Sequence, residues 1–346
     1  MWFSSDNAAG VAPEVLLAMA NAAPGWAMAY GNDEGTSRAA DMIRDRFEAP
    51  EAAVYFVATG TAANSLALAC LAEPWNAIYC HQSAHIEEDE CNGPEFFSGG
   101  AKLALIPGEH GRMMPEGLQA RLDRTAQGDV HGAQRGPLSI TNATEAGTLY
   151  DPSAVDALSA VAMKADVSVH MDGTRFAYAV AALGCTPAEL SWKAGVDILC
   201  LGATKNGAIA AEAVILFDPK LAWEFELRRK RAGHLFSKMR FLAAQFEAMM
   251  TDDLWLELAG RANATAGRLA DGLSKLSHAN LIHPVEANLM FVELPRRIHK
   301  SARAKGAAYA LIGDLDGPDD EMLTCRLVCS AQTTGKEVDA FLKVIT

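Results

Sequence analysis

VSVHMD (residues 167–172), followed by DILCLGATKNG (197–207) and EAVILF (212–217), decides how the chain is built. Each opens as a short, mostly apolar run with β-branched residues, the pattern of a strand buried on both faces. AVYFVA (53–58), AIYCH (77–81), KLALI (102–106) and PLSIT (137–141) read the same way. Helix formers lie between them: TAANSLALACLA (61–72), and segments opened by Pro115 and Pro152, each placed as a first helical residue. Strand alternating with helix predicts a largely parallel α/β sheet covered on both faces, with ligands at the carboxyl ends of its strands. A long helical stretch is expected over 219–250. The pattern then changes to helix (253–276), strand (287–294), helix (296–305), two strands (307–312 and 323–329) and a last helix. The expected division is therefore an N-terminal arm and large domain over residues 1–250, and a small α+β domain over 251–346.

Composition narrows the function. Half of the 346 residues are hydrophobic, and 43 acidic residues face 30 basic ones, for a formal charge of -13. Such a chain has no global electrostatic reason to bind nucleic acid or an anionic membrane, so anionic ligands need local positive spots. No run approaches the ~20 apolar residues of a membrane span. MWFSSDNAAG at the start has neither the basic nor the apolar region of a secretory signal. Seven cysteines without a CxxC pair suggest neither a disulfide framework nor a zinc knuckle. A reduced, cytoplasmic protein without a resident metal is the expectation.

Several residues could carry chemistry. Lys205 lies just past the strand DILCLGA, where an amine can form a Schiff base if its surroundings lower its pKa. Asp172 ends the preceding strand, where a carboxylate can hold a pyridinium nitrogen in its charged form. Gly60 and Thr61 open a helix straight after a strand, a site where free N–H groups, a hydroxyl and the helix dipole receive an anion. His85 follows another strand; it could stack on a flat ring or, with His81 in HxxxH, contribute to a metal site. Arg175 and Arg326 have the fork geometry that suits a carboxylate, ligand or internal. Arg228, Arg229, Lys230 and Arg231 form a basic cluster that could meet a phosphate. Each residue also has an ordinary structural reading, as a surface lysine, a turn aspartate, a helix cap or a salt bridge.

A Schiff-base lysine, an upstream aspartate and a phosphate turn make the protein's half of a pyridoxal-phosphate site. SSDN (4–7), AYGND (29–33), TGTAANSLAL (59–68), AHIEEDECNGPEFF (84–97), HMDGTRF (170–176), LGATKNG (201–207), SKMRFL (237–242), VEAN (285–288) and RLVCS (326–330) run in family order along the chain. Together they resemble the low-specificity L-threonine aldolases, members of the fold-type-I pyridoxal-phosphate enzymes. The resemblance implies a mostly parallel, seven-stranded-type large-domain sheet and a smaller C-terminal domain. It implies Lys205 as the cofactor's lysine, Asp172 at the pyridine nitrogen, and His85 on the ring and near the substrate hydroxyl. Gly60 and Thr61 would take the phosphate, and Ser5, Arg175 and Arg326 the substrate carboxylate. Tyr30 would reach the site from a neighbouring subunit, as would one of the basic cluster, with Arg229 and Lys230 at the phosphate. A tetramer, a dimer of dimers, is implied as well. One departure stands out: the family segment usually reads HMDGAR, whereas Thr174 stands here in HMDGTR. The implied reaction is cleavage of L-threonine, L-allo-threonine and related β-hydroxy amino acids to glycine and an aldehyde. The rivals are β-elimination, phenylserine cleavage or racemisation on the same fold, a non-catalytic binding protein, and a metal hydrolase using His81, His85 and Glu90.

Overall fold

The computed structural model describes residues 1–346. Seven strands form the large sheet: β1 (Ala53–Val57), β2 (Asn76–His81), β3 (Lys102–Ile106), β4 (Gln134–Thr141), β5 (Val169–Gly173), β6 (Ile198–Gly202) and β7 (Glu212–Leu216). Their spatial order is β1-β7-β6-β5-β4-β2-β3. β2, β5, β6 and β7 are buried along their whole length, as their apolar runs require when helices cover both faces. All strands run one way except β7, which is antiparallel to both β1 and β6. The connection from β6 to β7 is shorter than the dozen or so residues a parallel crossover needs, so the chain must turn straight back.

Four antiparallel strands form the small sheet: β8 (Asn280–Leu281), β9 (Leu289–Pro295), β10 (Ala310–Ile312) and β11 (Met322–Val328), in the order β10-β11-β9-β8. The chain's first residues join it. Phe3 donates its N–H to Ala308 O at 2.7 Å and accepts from Val328 N at 2.9 Å, and its ring packs on Phe341. Helix Leu254–Leu273 ties the two cores together, with Trp255 and Leu258 in the large one and Leu269 and Leu273 in the small one.

Two expectations need correction. The stretch 219–250 is not one helix: after a short turn at Pro219–Leu221 it forms Ala222–Arg231 and Arg240–Met250. Gly233, at φ 78, terminates the first of these in the left-handed conformation that glycine adopts without a Cβ penalty. The link between the helices is then used by the N-terminal arm, where Tyr30 N donates to Ser237 O at 3.0 Å. The strand expected at 307–312 contracts to Ala310–Ile312, because Ala308 bridges to Trp2 instead. The arm itself, for which the pattern gave no elements, carries helices Pro13–Ala22 and Glu34–Arg46.

Candidate active site

Strand ends bring the chemistry together. Asp172 sits at the carboxyl end of β5, opposite Cys200 of β6, and is almost fully buried. Its Oδ1 accepts from the Thr174 backbone N–H at 3.0 Å and the Thr174 hydroxyl at 2.6 Å; Oδ2 accepts nothing from the protein. Burial alone would raise the pKa of Asp172, but the charge of His85, the Thr174 donors and Lys205 outweigh it, and the carboxyl is held below its ordinary value. It stays ionised.

Lys205 occupies the single turn Thr204–Asn206 after β6, which Gly207 closes at φ 110. The turn is pinned from two sides: the Tyr178 hydroxyl donates to Lys205 O at 2.8 Å, and Asn206 Nδ2 donates to Trp255 O at 2.7 Å. Its Nζ has no hydrogen-bond or ion-pair partner in the chain. Burial, and then the charge of Arg175, lower its pKa against the opposing pull of Asp6, Glu145 and Asp172. A larger neutral fraction makes the amine a better nucleophile. Behind it lies fully buried Glu212 of β7, whose Oε2 accepts from Ala203 N at 3.2 Å and whose pKa burial pushes up to about 7.

His85 opens the short helix His85–Glu88 after β2. Its Nδ1 lies 2.8 Å from Glu90 Oε1, which also accepts from Asn64 Nδ2 at 2.8 Å. A carboxylate accepts and does not donate, so Nδ1 carries the proton and Nε2 is the basic nitrogen. Burial works against the charged imidazole, but the Glu90 hydrogen bond and the nearby carboxylates raise its pKa overall. One ligand-capable atom each of His85, Glu90 and Asp172 falls within a 4.8 Å cluster. His81 does not join them: its ring nitrogens are taken by Ser83 Oγ and Gly108 O. The HxxxH spacing therefore does not converge.

Helix Gly60–Leu71 points its start at the same place. Thr59 caps it by accepting from Ala62 N, while the N–H groups of Gly60 and Thr61 have no intrahelical acceptor. A Cβ on Gly60 would lie 3.3 Å from Thr174 Oγ1, so the helix start sits directly against the residue that holds Asp172.

The two arginines differ. Arg175 is buried and grips Asp6 with two nitrogens, Nε at 2.9 Å and Nη2 at 3.1 Å, while Asn288 Nδ2 donates to the same carboxylate at 3.1 Å. Only Nη1 remains, 3.8 Å from Glu145. The full fork expected for a substrate carboxylate is thus reduced to one nitrogen. Arg326, on β11, makes no side-chain hydrogen bond or ion pair, and its Nε is buried without a partner. Ser5 caps the turn Asp6–Ala8, accepting from Asn7 N at 3.1 Å. Arg229 is turned inward: it lies over the Tyr55 ring at 4.8 Å and pairs with Glu226. Lys230 instead sits over the ring of exposed Tyr30 at 5.2 Å, and neither hydrogen-bonds to Lys205, Asp172 or His85.

Sequence reading passed over Asp6, Glu212 and Asn288 as site residues, and offered Glu90 only as a metal ligand beside His81 and His85. Arg175 gave one signal, since a buried guanidinium demands a carboxylate. Glu90 was hidden in the acidic run EEDE, where nothing separates an inward carboxylate from solvated neighbours.

Comparison with known proteins places the chain in a family. The beta-eliminating lyase family model matches residues 3–296. The chain belongs to that family. A low specificity L-threonine aldolase of Pseudomonas aeruginosa is 45% identical over 314 residues, covering 90% of each chain. Another from a Pseudomonas species is 44% identical over 313 residues, covering 90% of this chain and 89% of that one. The solved threonine aldolase of Leishmania major superposes with a TM-score of 0.92 at 27% identity, covering 99% of this chain and 98% of that one. This lyase-family chain therefore has the fold-type-I architecture expected for it, with a large, mostly parallel sheet and a smaller antiparallel one. No helix in it is long and apolar enough to cross a membrane.

Proposed function

We propose that the protein is a pyridoxal-phosphate-dependent aldolase that cleaves L-threonine, L-allo-threonine and related β-hydroxy-α-amino acids to glycine and an aldehyde. Pyridoxal phosphate is the general cofactor of this family. One observation carries its assignment here: a half-buried, unpartnered amine with lowered pKa shares a strand-end cleft with an ionised aspartate whose second oxygen has no donor. The residues present fit the group at each of its ends. Lys205 offers the amine, Asp172 Oδ2 an acceptor for the pyridine nitrogen, and the Gly60 and Thr61 N–H groups a cradle for the phosphate.

When bound, the cofactor supplies an electron sink for the pair left as the Cα–Cβ bond breaks. The chain's own residues choose which bond that is. Arg326, the remaining nitrogen of Arg175 and the Ser5 hydroxyl would hold the substrate carboxylate and so orient the Cα substituents. His85 Nε2, kept basic by Glu90, would take the proton from the substrate's β-hydroxyl. Asp172 would keep the pyridine nitrogen charged.

The same reading makes the active enzyme a homotetramer, a dimer of dimers, in which Tyr30 serves a neighbouring subunit. Exposed Trp26, Met28 and Tyr30 on the N-terminal arm support it, since large apolar groups in open water mark association surfaces. Within the basic cluster, the inward turn of Arg229 favours exposed Lys230 as the residue that reaches across. Residues 1–250 and 251–346 serve as the two domains, with residues 1–3 docked on the second. Seven free cysteines agree with a reduced cytoplasmic setting.

The test is product analysis. Cofactor-loaded protein should release acetaldehyde and glycine from both L-threonine and L-allo-threonine, and Lys205→Ala should release neither. Ammonia and an oxo-acid in place of glycine would replace the aldolase reading with β-elimination.

A further inference from the structure

We infer that Thr174 is a positioning residue for Asp172, holding one carboxylate oxygen so that the other faces the pyridine nitrogen. The inference rests on the reading of Lys205 and Asp172 as the cofactor site. Both donors of Thr174, the N–H at 3.0 Å and the hydroxyl at 2.6 Å, converge on Oδ1 and leave Oδ2 free. The hydroxyl bond is short, as expected for a neutral donor on a charged acceptor. The backbone N–H alone would satisfy Oδ1, so the hydroxyl is not needed to avoid an orphaned atom. It adds a second restraint on the rotation of the carboxylate.

That restraint has something to oppose. Asp172 has a competing partner in the imidazole of His85, which shares with it and Glu90 a cluster of ligand-capable atoms 4.8 Å across. A carboxylate free to turn would spend part of its time paired with His85, occupying the acceptor and restraining the base. The Thr174 side chain stands beside the helix start: Oγ1 lies 3.3 Å, and the methyl 3.9 Å, from the point where a Cβ on Gly60 would sit, and glycine leaves that space open. A β-branched residue has few χ1 choices, which together with the bond to Oδ1 limits where the hydroxyl can point. Thr174 thereby links the carboxylate that would hold the ring nitrogen to the helix start that would hold the phosphate.

The experiment compares wild type with Thr174→Ala, Thr174→Val and Thr174→Ser. Apoprotein is titrated with pyridoxal phosphate, followed by visible absorbance, and the pH midpoint of the bound band is then measured. Thr174→Ala and Thr174→Val should bind roughly tenfold more weakly, the loss of one hydrogen bond to a charged group, and should displace the pH midpoint. Thr174→Ser should restore both readouts. Unfolding midpoints of the four apoproteins should agree, which separates positioning from a general loss of structure. Wild-type affinity and midpoint in Thr174→Ala would overturn the inference, as would a serine variant no better than alanine. Absence of a bound band in every protein, wild type included, would overturn the cofactor reading beneath it.

Discussion

The carboxyl edge of the large sheet and inner strand β11 of the small sheet treat their charged groups differently. At the large sheet, most charges are already paired with protein: Asp6 with Arg175 and Asn288, Glu90 with His85 and Asn64, and Asp172 Oδ1 with Thr174. At the small sheet, Arg326 is left without a partner in a strand that is otherwise largely apolar. The contrast separates groups whose bonds are complete within the protein from groups left with unpartnered atoms. Among the large-sheet residues, the atoms without partners are the informative ones, namely Lys205 Nζ and Asp172 Oδ2. An unpartnered charge kept wholly or partly out of water is costly in the folded protein, so a group kept in that state is best explained by a ligand that completes it.

Substitutions can break this comparison. The largest effect on stability is expected from Asp6→Asn, which leaves Arg175 buried with only Glu145 nearby. Removing one partner of a buried pair costs about 3–5 kcal/mol. Thermal or denaturant unfolding of the variant should show a loss of that order. The pair also sets a pH dependence. The carboxyl of Asp6 is held below its ordinary value, so its contribution is complete at neutral pH and is lost as pH falls through the lowered folded-state value. Wild-type stability should therefore drop more steeply than that of Asp6→Asn at acid pH.

Arg326→Ala should behave in the reverse manner. It removes no protein–protein bond, so unfolding should shift little. The KM for L-threonine should rise by roughly 10²-fold, the worth of a charge-assisted contact to a carboxylate. An unfolding loss as large as that of Asp6→Asn, with KM unchanged, would dissolve the distinction between the two regions.

The smallest effect sharpens the reading of His85. Its pKa is raised above the ordinary 6.5, so Nε2 is free to act as base only above that higher value. Activity should fall as pH drops through it. Glu90→Gln removes the carboxylate that favours the charged imidazole, so this acid limb should move to lower pH. A pH–rate profile measured on kcat decides the matter, and a limb that stays in place would assign it to another group.

The strands were legible because burial on both faces writes itself as short apolar runs, and KLALI fell on β3 residue for residue. The break at Gly233 was not, since the surrounding residues are helix formers and the link is stabilised by a contact with Tyr30 from 207 residues earlier (237 − 30). The reversal of β7 was readable from the short loop before it, but apolar content alone carries no direction. At the site, Lys205 and Asp172 were legible because their positions at strand ends follow from the local pattern. What holds them was not. Asp6 meets Arg175 across 169 positions and Asn288 across 282, and no local rule links such residues. Thr174 stood out only as a departure from HMDGAR; its hydroxyl's grip on Asp172 required the side-chain geometry.

The central claim is that Lys205 is the residue to which the cofactor attaches. Borohydride reduction of pyridoxal-phosphate-loaded protein, followed by peptide mapping, tests it without reference to substrate. A single phosphopyridoxyl group on the peptide that contains Lys205 is the expected result. A label on another lysine, with Lys205 unmodified, would contradict the account.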